Sequence, residues 1–204
     1  MSRTGVLGGT FDPPHIGHLW LASLAADALS LDRVLFMPAA QPPHKDRDLA
    51  GSAEDRLEMT RLAIADDARF ALSMIEMERP GPSYTIDSVV QLLDERAGET
   101  LVLLMAADSL AQIDTWREPD RLLQLVEWGI GPRPGSTMPD AAQLAARFGN
   151  AASRIHTLEG PALAVSSTGI RARVAAGRTI RYLVPRAVEE LIAARGLYRL
   201  PGSR

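Results

Sequence analysis

Apolar positions along the chain follow two periods. Continuous apolar runs at residues 5–7, 34–37 and Thr100–Ala106 are short and end at Gly8, Pro38 and Ala107-Asp108. That is the signature of strands buried on both faces of a parallel sheet, and Thr100–Ala106 reads as the most buried of them. Weaker strand runs lie at residues 71–75, 126–131 and 154–158. Helical spacing fills the intervals. Residues 19–29 are rich in Ala and Leu and place Leu19, Ala22, Ala26 and Leu29 on one face. Ser52, with Asp55 three residues on, suggests a capping box at the head of a second helix. From about Thr85 the set Ile86, Val89, Val90 and Leu93 repeats at i, i+3, i+4, i+7, and Gly98 is placed to end that helix. Further helices are predicted over Pro119–Leu125 and Ala141–Phe148, from Ser166 to a stop at Gly177, and from Pro185 to a stop at Gly196. The last of these turns Val188, Leu191 and Ile192 inward.

Strands alternating with helices predict an α/β fold with an open, mostly parallel, doubly wound sheet. Its first strand–helix–strand crossover should be right-handed. Residues 39–51, 79–83 and 132–139 are loops. With 204 residues, no internal repeat and no composition break, the chain reads as a single domain spanning 1–204. The C-terminal helical part, from about residue 166, reads as an appendage to the same core.

Composition narrows the chemistry. A net charge of −3 gives no electrostatic case for a nucleic-acid partner, so positive charge that binds phosphate must be local. The absence of cysteine excludes disulfides, thiolate metal sites and a Cys nucleophile. No run approaches the ~20 apolar residues of a membrane span, and the N-terminus lacks a basic and apolar leader. The reading is a cytoplasmic chain with no membrane partner.

Residues 8–19, GGTFDPPHIGHL, carry the sharpest signal. An apolar strand runs into Gly8 and Gly9, and a helix opens at about Gly17, flanked by His15 and His18. A strand, a glycine turn and a helix N-terminus present backbone N–H groups and a favourable dipole to an anion. The glycines, Gly17 included, let backbone approach a ligand that a Cβ would hold off. Residues 166–171, Ser-Ser-Thr-Gly-Ile-Arg, form a second candidate anion cradle: a helix start with hydroxyl donors and one guanidinium. Isolated histidines are more often packing residues, and a lone capped helix start with an Arg is more often structural. The two together, in order and about 150 residues apart, are harder to explain by packing.

GGTFDPPHIGHL resembles the HxGH motif of the nucleotidyltransferase superfamily, in the form found in the bacterial nicotinate-nucleotide adenylyltransferase family. The resemblance extends to residues 166–171, similar to that family's SSTxIR motif, to Ala107-Asp108-Ser109-Leu110 with Trp116, to Pro82-Ser83-Tyr84-Thr85 and to residues 182–185. It implies a Rossmann-like nucleotidyltransferase fold. The activity it implies is transfer of AMP from ATP to nicotinate mononucleotide, forming deamido-NAD and pyrophosphate, with Mg2+ carried by ATP and no metal held by the chain. Catalytic roles fall on His15, His18 and Arg171. ATP falls to Gly8, Gly9, Thr10, Phe11, Gly17, His18, Asp108, Ser167, Thr168 and Arg171. The pyridine nucleotide falls to His44, Lys45, Tyr84, Thr85, Trp116 and Arg133. Ala106 stands where the family pattern has Gly, so its methyl would crowd adenine or ribose.

Two alternatives stay open on sequence. Pantetheine-phosphate adenylyltransferases share the first motif, but normally carry a Thr or Asn-type residue where this chain has His15. A non-catalytic nucleotide sensor on the same fold would be free to lose His15, His18 and Arg171.

Overall fold

The computed structural model describes residues 2–42 and 49–200. In chain order they form β1 (Arg3–Gly9), α1 (Ile16–Ala28), β2 (Arg33–Pro38), α2 (Ala53–Ala63), β3 (Phe70–Leu72), α3 (Ile75–Glu78) and α4 (Thr85–Glu95). The second half follows as β4 (Thr100–Ala106), α5 (Ala107–Ala111), α6 (Pro119–Leu125), β5 (Glu127–Gly131), α7 (Ala141–Phe148), β6 (Ile155–Thr157), α8 (Ser167–Ala175) and α9 (Arg186–Arg195). Among the described residues the sheet has six strands, all parallel, in the order β3-β2-β1-β4-β5-β6. The first three strands wind outward from β1, and the chain then crosses back to lay β4 on its other side. The carboxyl ends of β1 and β4 therefore flank the switch point, where an open α/β sheet leaves its crevice.

Strand side chains alternate between two apolar layers, as the pleat requires. Val6, Leu101, Leu103 and Met105 pack under α4 and α6 with Ile86, Val89, Leu92 and Trp128. Leu7, Phe36, Val102 and Leu104 pack on the other face with Ala22, Ala25 and Ala26 of α1 and Met59 of α2. The late helices are built into this second layer, since Ile170, Val188 and Ile192 are each buried there. What the sequence presents as an appendage is part of the core.

Two element assignments shift. The run at residues 71–75 divides: β3 stops at Leu72, the Ser73 N–H closes on the Phe36 carbonyl at 2.8 Å, and Ile75 opens α3. In α4 the buried stripe is Ile86, Val89 and Leu92, with Val90 and Leu93 at its half-buried margin. Ser88 is wholly buried beside them, because its hydroxyl has an internal partner, Glu76. Among the described residues no helix is long and apolar enough to cross a membrane.

Candidate active site

The glycine loop leaves β1 at the carboxyl edge of the sheet. Arg56 of α2, almost fully buried, donates from its guanidinium to the carbonyls of Thr10, Ala39 and Ala40. It thereby ties this loop to the strand exit of β2.

His15 is the N-cap of α1 and His18 its third residue. Their rings stack with centroids 3.8 Å apart at 21°. The His15 backbone N–H donates to His18 Nδ1 over 3.2 Å, which puts the proton of a neutral His18 on Nε2. Burial, aided by the nearby Arg133 charge, lowers the pKa of His15 from 6.5 to about 4. The ring is thus neutral at physiological pH. A Cβ on Gly17 would stand 2.9 Å from Val165 Cγ1 and 3.1 Å from the His15 ring. Glycine is required there for that close packing, on the same wall that lines the cleft.

The second cradle meets the first directly. Ser166 caps α8, its Oγ accepting from the Gly169 N–H at 3.1 Å. Ser167 Oγ donates to the Pro13 carbonyl at 2.8 Å, and Arg171 Nη1 donates to the Asp12 carbonyl at 2.8 Å. One cavity of about 780 Å³ is lined by Gly8, Gly9, Thr10, Gly17, both histidines, Asp108, Ser167, Thr168 and Arg171. Two helix N-termini therefore open on one space, which suits a polyanion.

Trp116, Thr85 and Arg133 line the same cavity. Arg133 reaches across it: Nη1 donates to the Val165 carbonyl at 3.1 Å and Nε lies 3.6 Å from Asp108 Oδ2. Ala106 takes φ −86 and ψ 159, an extended conformation open to any residue, so no glycine backbone is needed at that point. α4 begins at Thr85 with no side-chain cap among the described residues; the Asp87 N–H is taken by the Tyr84 carbonyl at 3.1 Å, so the donors this turn offers a ligand are the Thr85 and Ile86 N–H groups.

Two of the expected residues do not line the cavity. The Phe11 ring has no exposed surface; it packs 5.0 Å from the His18 ring and 5.8 Å from Phe36. The ring supports His18 from the core and does not line the cavity. Tyr84 packs against the apolar layer with the Arg117 guanidinium 4.8 Å over its ring, and does not line the cavity. His44 and Lys45 lie outside the described residues.

Glu76 is a further residue of the site. It is buried in the cavity wall, accepts a 2.7 Å hydrogen bond from Ser88 Oγ, and is held above the usual carboxylate range by burial. No motif or spacing marks it.

The cytidylyltransferase-like family model matches residues 6–173. A protein of Thermomicrobium roseum named "Probable nicotinate-nucleotide adenylyltransferase" is 46% identical over 98% of this chain and 92% of its own length. One of Roseiflexus sp. with the same name is 48% identical over 96% and 97%. Among solved structures, nicotinic acid mononucleotide adenylyltransferase of Plasmodium falciparum, complexed with NaAD, superposes with a TM-score of 0.81. It is 16% identical and covers 97% of this chain and 98% of that one.

Proposed function

The chain belongs to the nicotinate-nucleotide adenylyltransferases of the cytidylyltransferase-like family, and from that premise we propose how it transfers AMP from ATP to nicotinate mononucleotide, forming deamido-NAD and pyrophosphate in NAD biosynthesis. The observation that carries the site assignment is the single cleft into which the imidazole pair and the late guanidinium both open.

A 5′-phosphate oxygen of nicotinate mononucleotide attacks the α-phosphorus of ATP in line. The new O–P bond forms as the bond to the β-phosphate breaks, and pyrophosphate leaves with the electron pair. The attacking oxygen is already ionised, so no general base is needed. The chain's task is positioning and charge stabilisation. Glycine-loop N–H groups, His18 and Arg171 face the phosphates, and His15, being neutral, donates without adding a charge. Mg2+ is read as arriving with ATP, whose phosphates it neutralises.

Thr85 and Trp116 serve the acceptor. The indole offers a face to the pyridine ring, and the first-turn N–H groups of α4 suit a carboxylate, whereas an amide would turn an NH2 toward those donors. Pyrophosphate release should be measured with Mg-ATP and each of nicotinate mononucleotide, its amide, and phosphopantetheine. The acid should exceed the amide in kcat/KM by roughly tenfold or more. Equal use of acid and amide refutes the backbone-donor account, and preference for phosphopantetheine refutes the acceptor. Binding of ATP without turnover of any acceptor makes the chain a sensor.

A further inference from the structure

Beneath the cleft a single carboxylate gathers three distant parts of the chain. Asp12 is 1% exposed. Its Oδ1 accepts from the Gly51 N–H at 3.0 Å and from the Tyr198 hydroxyl at 2.7 Å. Its Oδ2 accepts from the Ala50 N–H at 2.8 Å and lies 3.9 Å from Arg171 Nη1, which is itself bonded to the Asp12 carbonyl. The fit is close: a Cβ on Gly51 would stand 2.8 Å from Oδ1 and 3.4 Å from Tyr198 Oη.

Tyr198 reaches this point under constraint. It lies just past α9 at φ 64, the left-handed region that an aromatic residue rarely adopts. Burial and the facing Asp12 hold its hydroxyl far above the usual phenol range, so it keeps its proton and donates.

We propose that Tyr198 is a positioning residue for the reaction, which holds the Asp12 carboxylate off Arg171 and so keeps that guanidinium directed at the triphosphate. The proposal rests on the reading that Arg171 grips ATP. With the hydroxyl present, Asp12 has three neutral donors on its two oxygens, and Arg171 bonds the backbone carbonyl instead. Without it, Oδ1 keeps one donor only. A desolvated carboxylate then draws on the nearest cation, and that cation is 3.9 Å away. An arginine captured side-on by Asp12 has fewer N–H groups to offer phosphate.

Steady-state kinetics of Tyr198→Phe, which keeps the ring, test this beside two controls. Arg195→Ala breaks the exposed ion pair of α9 with Asp55 and loosens the same C-terminal segment without touching Asp12. Arg171→Lys tests the underlying reading. Tyr198→Phe should raise KM for Mg-ATP about five- to tenfold, the scale of one ordinary hydrogen bond, and leave KM for nicotinate mononucleotide within about twofold. Arg195→Ala should lower Tm and leave both KM values alone. Unchanged Mg-ATP kinetics in Tyr198→Phe overturn the proposal, as does an equal response of Tyr198→Phe and Arg195→Ala, which would mean simple docking. If Arg171→Lys leaves KM for Mg-ATP unchanged, the ATP role of Arg171 fails first. If it raises that KM while Tyr198→Phe does not, only the role of Tyr198 fails.

Discussion

Acid should destabilise this protein through His15. The folded ring titrates at about 4 because burial, with Arg133 nearby, opposes its charge, while the same ring in the unfolded chain titrates at 6.5. A group whose folded pKa is depressed in this way costs nothing at neutral pH. Below pH 6.5 the unfolded chain takes up a proton that the folded one refuses, and the loss grows until pH falls past 4. At pH 5 the unfolded state is favoured about thirtyfold by this one group, or about 2 kcal/mol. Against a typical total of ~5–15 kcal/mol that is a visible fraction. Urea unfolding from pH 7.5 to 5, run in parallel on the native protein and on His15→Gln, isolates it, since other titrating groups cancel in the difference. The native protein should lose about 2 kcal/mol more than the variant across that range. Parallel stability curves would refute the reasoning. NMR titration of the ring gives a second reading. Arg133→Gln should move its pKa upward, because a positive charge that opposes protonation is gone. An ATP analogue should move it upward too, because phosphate charge favours the imidazolium. A titration indifferent to the analogue would remove His15 from the triphosphate site.

Two kinetic predictions complete the test of the cleft. His18→Ala should lower kcat by roughly 10²-fold or more, the scale of losing one preorganised donor, and a near-normal kcat would exclude His18 from the mechanism. Trp116→Ala should raise KM for nicotinate mononucleotide by about tenfold while KM for Mg-ATP moves little; equal increases would assign the indole to packing.

Most of the fold was legible because its strongest elements carry one period each. Thr100–Ala106 is a continuous apolar run and Pro119–Leu125 opens on a proline, and both keep those bounds in the structure. The misreadings sit where periodicity says nothing. Residues 71–75 are a run of apolar and small residues that suits either period, and only the edge position of β3, where Ser73 closes on Phe36, ends the strand. The α4 stripe was displaced because Ser88 reads as a surface residue until Glu76, twelve positions away, is known to accept from it.

The candidate site divides along the same line. Its anion cradles were legible because each is local: glycines, hydroxyls and a helix start within a few residues of one another. Its framework was not, because it is made of contacts 38 to 186 positions apart that converge on Asp12. A buried carboxylate under a proposed triphosphate site looks self-defeating, since like charges repel strongly at low dielectric. The structure answers this by engaging both oxygens with framework donors, the N–H groups of Ala50 and Gly51 and the Tyr198 hydroxyl. The backbone carbonyl of the same residue anchors Arg171, the cation proposed to grip the triphosphate. Asp12 thus assembles the positive face of the cleft while its own charge is satisfied from beneath, which is why a chain of net charge −3 can present a local site for a polyanion.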